Sequence, residues 1–272
     1  MDNTCFRHTD SEAYVSCSRC DRTICPDCMI NAPVGFQCPE CVASAQVALP
    51  KTRFGGSFNT VPKVTRAILI TCISIFLLSL LLGGISSFAL SFGMIPAAIA
   101  QGEWWRLLTS TLLHGSILHL LFNMYALYWL GPQLERSLGH MRFAALYVLS
   151  ALGGSVASYW FSDLRTVSVG ASGAIFGLIT ATIVIGREMR TDVSQLVVLL
   201  GLNVVIGFLQ PGIDWRAHFG GAVTGAAIAF IYTKGTRLNR DKLHRAGLAG
   251  IFGFLVLATL ARNAQVSALI GL

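Results

Sequence analysis

Charge is what this chain has least of. Only 12% of its 272 residues are Asp, Glu, Lys or Arg, while 54% are hydrophobic; an average soluble domain carries about 25% charged residues. So little charge excludes an ordinary water-soluble globule and points to a polytopic membrane protein. Acidic residues are the scarcer kind, 13 against 20 basic ones, giving a net charge of +7. That excess does not imply nucleic acid, because the basic residues sit mainly in short loops between apolar runs and no RNA- or DNA-reading motif is present. The apolar part also lacks cysteine apart from Cys72; the other seven fall within residues 5–41. The opening Met1-Asp2-Asn3-Thr4-Cys5 lacks the basic region and apolar core of a cleavable signal peptide. With no export signal, the cysteine-rich segment reads as metal-binding rather than disulfide-bonded.

The thiols join His8 in four knuckles: Cys5-x2-His8, Cys17-x2-Cys20, Cys25-x2-Cys28 and Cys38-x2-Cys41. A two-residue gap lets both side chains of a knuckle turn toward one ion, and eight donors match two closed tetrahedral zinc sites. A segment of this length cannot bury an adequate core, so two structural Zn2+ ions would supply its folding energy. Residues 1–43 resemble B-box-type cross-braced fingers. That resemblance implies one site from Cys5, His8, Cys25 and Cys28, and a second from Cys17, Cys20, Cys38 and Cys41; pairing of sequential knuckles is the alternative. No open coordination position or nearby catalytic carboxylate is evident, so this head reads as a structural or protein-docking module for a cytoplasmic partner. Residues 44–63 form a linker in which Pro50, Lys51, Arg53, Gly55, Gly56, Ser57 and Pro62 break any long periodic pattern.

The body contains seven candidate spans, near 66–90, 115–132, 142–161, 169–186, 194–210, 217–233 and 246–262. Thirteen Lys and Arg residues lie in the loops on the N-terminal side, among them Lys51, Arg66, Arg142, Arg187 and Arg237. The other side has four, Arg106, Arg165, Arg216 and Arg262. This bias predicts a cytoplasmic N-terminus and head, with the C-terminus outside. A reducing cytoplasm agrees with thiolate ligands, and a bacterial plasma membrane is the expected location.

With that topology, spans two, four and six all start at the outer face. Ser172 lies near the start of span four, His218 near the start of span six, and His119 and Asn123 near the start of span two. An ionisable residue in a bilayer is costly and marks a functional site. A serine needs a base to take its proton, and His218 shares its depth. Spans four and six hold no Asp or Glu, so a Ser–His dyad is the economical reading. Hydrolysis of an amide also needs donors for the oxyanion. His119 and Asn123, four residues apart and on one helical face, supply them together with the Ser172 amide. Small-residue stripes, Gly173, Gly177 and Ala181 on one span and Ala217, Gly221, Gly225 and Ala229 on the other, let the two helices touch.

About residues 60–235 resemble the rhomboid intramembrane serine proteases. The likeness rests on Trp105-Arg106, His114-x4-His119-x3-Asn123, Leu134-Glu135, Gly170-Ala171-Ser172-Gly173 and Ala217-His218-x2-Gly221-x3-Gly225. It implies an all-α membrane fold with a six-helix core over 64–235 and a seventh, C-terminal transmembrane helix within 236–272. Ser172 is the implied nucleophile and His218 the base; His119, Asn123 and the Ser172 amide stabilise the oxyanion. No cofactor is implied for the chemistry, and transmembrane proteins in the lipid bilayer are the substrates. Phe176 stands where the family often has Tyr, which keeps a ring to stack on the histidine and drops a hydroxyl. Arg106 and Glu135 read as loop anchors, Trp104 and Trp105 as an interfacial belt, and His140 and His244 as ordinary surface residues. His114 reads as a structural residue or a shaper of a water-accessible cavity. Two other functions compete. A catalytically inactive rhomboid-like binder would typically lack the serine or histidine, and a transporter would carry polar residues at mid-depth and toward the cytoplasm.

Overall fold

The computed structural model describes residues 3–46, 52–57, 61–236 and 238–270. Pro50, Lys51 and Arg237, used above for the linker and the topology, lie outside them. The chain divides into two units, Met1–Pro50 and Lys51–Leu272.

The first unit has almost no regular structure to hold it. Strands β1 (Val15–Ser16) and β2 (Thr23–Ile24) pair antiparallel, as do β3 (Ile30–Asn31) and β4 (Phe36–Gln37). Helix α1 (Pro39–Gln46) closes the unit and runs past residue 43. Six of the eight residues in its buried cluster are cysteines, with Ala13 and Ile24 the others. Two-residue strands around so few apolar side chains cannot offset the entropy of ordering the chain.

The second unit is helical: α2 (Lys63–Leu81), α3 (Ile85–Phe92), α4 (Pro96–Ala100), α5 (Arg106–Thr109), α6 (Ile117–Leu138), α7 (His140–Phe161), α8 (Ser172–Glu188), α9 (Ser194–Leu209), α10 (Trp215–Thr233) and α11 (Arg240–Ile270). Among the described residues α2, α7 and α11 are each long and apolar enough to cross a bilayer, and the α5 segment and α6 form a pair bent by 92°. The chain is therefore a membrane protein. Exposed Leu77, Phe122, Tyr125, Phe208 and Phe254 give the body the apolar exterior that a hydrocarbon surrounding requires.

Three spans differ from the sequence reading. The first, expected over 66–90, stops at Leu81; Gly83 and Gly84 both take positive φ, and the chain restarts as α3. The second runs on to Leu138, through Pro132, rather than ending at 132. The last is longer at both ends than 246–262.

Helix α8 lies at the centre. Every residue from Gly173 to Ala181 is buried, and α6, α7, α9 and α10 all pack against it. The small stripes on α8 and α10 form the closest seam. A Cβ at Gly221 would collide with the Gly173 carbonyl oxygen, and one at Gly225 with the Gly177 backbone. A third helix joins them: a Cβ at Gly154 of α7 would come within 2.7 Å of the Ala217 carbonyl and 3.2 Å of Gly173 Cα. Without side chains between them, three helix backbones approach at the level of Ser172.

Candidate functional site

Ser172 is the first residue of α8. Two residues before it Gly170 has φ +136, a conformation that a side chain would strain. Its bare Cα also faces the His119 ring, where an added Cβ would stand 2.7 Å from Cε1 and Nε2. The Gly170 amide donates to the Ser110 carbonyl at 2.9 Å, which pins the approach to the serine. The N-cap of α8 is Ala171, with no capping side chain. The first-turn N–H groups, including that of Ser172, have no intrahelical acceptor, and the positive end of the helix dipole favours an anion there.

His218 lies in the first turn of α10. Its Nε2 is 2.8 Å from Ser172 Oγ. With the ring proton on Nδ1, Nε2 accepts from the hydroxyl. The Phe176 ring stacks on the imidazole, 4.1 Å between centroids and 14° between planes. Nδ1 is buried and has no hydrogen-bond partner among the described residues, so no carboxylate completes a triad.

The other two candidates approach this pair from α6. Ser116 caps that helix by accepting from the His119 amide at 3.1 Å, which sets His119 in the first turn. The His119 ring lies against Gly170, with Nδ1 3.4 Å from the Gly115 amide that donates to it, and the His114 ring meets it edge-on at 5.2 Å. Asn123 is buried, and its Nδ2 donates to the His119 carbonyl at 2.8 Å. The structure thus brings Ser172 and His218 into contact and His119 against the same loop. Asn123 stands one turn below, with its amide turned to its own helix.

One residue of this region escaped the sequence reading. Asp214, the N-cap of α10, accepts from the Ala217 amide at 3.2 Å. The same carboxylate accepts from Ser168 Oγ at 2.6 Å and from Ser158 Oγ. Asp214 lies three residues before the apolar run that starts at 217, and an Asp in that place is an N-cap signature that marks a helix start.

In the N-terminal unit the donor atoms gather in two groups, Cys5, His8, Cys25 and Cys28, and Cys17, Cys20, Cys38 and Cys41; within each group all lie within 4.8 Å of one another. First and third knuckles meet, and second and fourth. Tetrahedral Zn–S bonds of about 2.3 Å put sulfurs about 3.8 Å apart, and Cys20 and Cys38 Sγ are 3.9 Å apart. Backbone N–H groups point at the sulfurs, Cys38 to Cys17 Sγ at 3.2 Å and Cys41 to Cys38 Sγ at 3.3 Å. Burial raises the Cys5 and Cys17 thiols, but such amide donors outweigh it and lower both to about 6. Burial first, and then crowding by neighbouring thiols, pushes Cys28 up to about 11 and Cys41 up to about 12. Crowded thiols such as Cys28 and Cys41, whose ionisation their neighbours oppose, belong to donor sets that a dication would relieve. These groups could hold two zinc ions, and the residues present fit them.

Comparison with known proteins places the membrane unit. A rhomboid domain model matches residues 101–235. The rhomboid-family protein YdcA of Bacillus subtilis (strain 168) is 38% identical over 141 residues, 49% of this chain and 69% of that protein. The chain belongs to the rhomboid family.

Rhomboid protease GluP of Bacillus subtilis (strain 168) is 39% identical over 180 residues, 63% of this chain and 35% of its own length. RHOMBOID-like protein 5 of Arabidopsis thaliana is 43% identical over 141 residues, 49% of this chain and 45% of its own. The chain thus spans less than half the length of these two relatives. The matched rhomboid domain contains His119, Asn123, Ser172, His218 and Asp214.

Four polar residues of this rhomboid brace the frame. Buried Arg106 donates from Nη1 to the Leu90 and Gly93 carbonyls at 2.9 and 2.8 Å, and from Nε to Glu103 at 2.6 Å. Glu135, fully buried, accepts from the Val64 and Thr65 amides at 2.8 Å each and from Thr65 Oγ1 at 2.6 Å, capping the start of α2. His140 and His244 are not the surface residues expected. His140 Nδ1 meets the Glu135 carboxylate. His244 is 2% exposed, between Arg142 and the Lys234 carbonyl. It lies near the start of α11 and is buried where that helix packs on α7 and α10; its partners come from outside the charged run that surrounds it in sequence.

Proposed function

We propose that this rhomboid is an intramembrane serine endopeptidase that cleaves transmembrane proteins through a Ser172–His218 dyad. The observation that carries the reading is the 2.8 Å separation of Ser172 Oγ and His218 Nε2 within a helical membrane unit. A base at hydrogen-bond distance is what activates a serine hydroxyl. In the first step His218 Nε2 takes the Ser172 proton as Oγ bonds to the scissile carbonyl carbon. The proton then goes to the leaving amine as the C–N bond breaks. Water hydrolyses the acyl-enzyme by the same relay.

The oxyanion formed in each step needs donors. The uncapped start of α8 offers the Ser172 amide, and His119 and Asn123 supply the side-chain donors. Asn123 has one amide hydrogen committed to the His119 carbonyl and a second for substrate. A donor of this kind is worth about 10²–10³ in kcat. A substrate helix must unwind at the cut, because its amides are otherwise bonded within the helix.

We assign the active site to the outer half of the membrane, and the N-terminus to the cytoplasm, on the Lys and Arg asymmetry of the loops. A bacterial plasma membrane is the location that fits a cytoplasmic thiolate-rich head. That head binds two structural Zn2+ ions and docks a cytoplasmic protein; zinc takes no part in the hydrolysis.

The test is cleavage of a model transmembrane substrate and labelling by a fluorophosphonate. Wild type should cut and label, and Ser172→Ala should do neither. Failure of purified wild type to label where a control rhomboid reacts would sink the reading in favour of an inactive rhomboid-like binder.

A further inference from the structure

Asp214 stands four residues before His218, and Ser168 stands four residues before Ser172. A hydrogen bond of 2.6 Å joins these two positions, Ser168 Oγ donating to Asp214 Oδ2. The segment leading to the base and the segment leading to the nucleophile are therefore tied directly to each other.

Capping alone does not account for what surrounds this carboxylate. An N-cap needs one bond, here from the Ala217 amide to Oδ1. Oδ2 takes two more from other elements, Ser168 in the α7–α8 loop and Ser158 on α7. Ser158 is fully buried and also contacts Ser162 Oγ at 3.1 Å. The loop end of the tie is itself anchored: Ser168 and Met94 exchange both backbone hydrogen bonds at 2.9 Å, and Met94 is 1% exposed. Among the described residues His218 has no orienting partner on Nδ1; ring stacking by Phe176 holds its plane but leaves its distance from Ser172 to the backbone of α10. That distance is set where α10 begins.

Resting on the protease reading above, we propose that Asp214 is the positioning residue of the dyad, a latch that fixes the first turn of α10 against α7 and the loop bearing Ser172. It exchanges no proton with the ring. Its work is geometric, holding Nε2 at hydrogen-bond distance from Oγ before substrate arrives.

The test compares Asp214→Ala, Asp214→Asn and Ser168→Ala with wild type in the full-length chain, reading kcat and KM on a model transmembrane substrate, melting temperature in detergent, and fluorophosphonate labelling. A misplacement near 1 Å costs on the order of a hundredfold in rate. Asp214→Ala should lose kcat by that order with KM unchanged. Asp214→Asn should recover to within about threefold of wild type, because its carbonyl can cap α10 and the serine hydroxyls can turn to accept from its amide. Ser168→Ala, which removes only the tie, should lower kcat on the order of tenfold while the melting temperature stays near wild type. If Asp214→Ala does not fold, Ser168→Ala decides. Wild-type kcat in Ser168→Ala, or an equal loss in Asp214→Asn and Asp214→Ala, overturns the latch. Wild type that neither cuts nor labels overturns the protease reading itself, and with it the latch.

Discussion

No methyl group fits between Gly221 of α10 and the carbonyl oxygen of Gly173 on α8. These glycines lie one step along the seam from His218 and Ser172, so the seam sets how near the base comes to the nucleophile. Gly221→Ala should force the helices apart, lowering stability by about 1–3 kcal/mol, the usual cost of overpacking. Fluorophosphonate labelling of the purified variant should fall at least as far as its stability does. Gly201→Ala on α9, where nothing among the described residues lies within 4 Å of an added Cβ, is the matched control and should behave as wild type in both assays.

The stacked Phe176 ring should matter through its plane. Phe176→Tyr should keep kcat within about twofold, since the ring survives. Phe176→Ala removes a contact of the kind worth about 0.5–1.5 kcal/mol, and kcat should fall about tenfold with little change in KM. Steady-state kinetics on one substrate suffices. A larger loss in the Tyr variant than in the Ala variant would show that the hydroxyl position, not the stacking, is critical.

Much of this site could be read from the chain because its parts carry strong local signatures. Ser172 and His218 are polar residues in apolar runs, and the Gly and Ala stripes repeat at helical spacing. The four Cys/His knuckles have metal-ligand spacing whatever their pairing. What sequence left open was tertiary. Which knuckles meet depends on how short hairpins fold back, and the role of Gly154 depends on α7 reaching the α8–α10 seam. His244 looked solvated because Arg240, Asp241, Lys242 and Arg245 surround it in sequence. Its burial follows from α11 packing on α7 and α10. The break after Leu81 was written as Gly83-Gly84, but an apolar run on both sides hid it.

Zinc should be the fold of the N-terminal unit. Elemental analysis of the purified chain should give two zinc ions per molecule. Strong chelation should abolish the amide dispersion of residues 3–46 in NMR spectra, as expected where metal affinity is folding energy. Arg22 deserves a separate variant. Its guanidinium meets Cys20 Sγ at 3.3 Å, Glu40 at 2.7 Å and the Phe6 ring at 4.0 Å, bracing the second donor group. Arg22→Ala should release zinc to a competing chelator about tenfold to a hundredfold faster, in the range of supporting-shell losses. Catalysis in detergent should persist without residues 1–43.

Glu135 should act on stability rather than on chemistry. It is fully buried and takes three hydrogen bonds from the start of α2. Glu135→Ala leaves two backbone amides without their acceptor, at about 1–3 kcal/mol for a buried unsatisfied group. The melting temperature in detergent should drop by several degrees, with Glu135→Gln intermediate. At a temperature where both variants remain folded, kcat should stay near wild type; a large kcat loss in a folded variant would assign Glu135 a role in the reaction.

The most direct measurement is cleavage of a model transmembrane substrate by wild type, Ser172→Ala and His218→Ala, with the cut site mapped by mass spectrometry. Wild type should cut within or beside the substrate's transmembrane segment, in the half away from the cytoplasm, and each variant should leave the substrate intact. Cleavage that persists in Ser172→Ala, or a cut at the cytoplasmic end, would contradict the account.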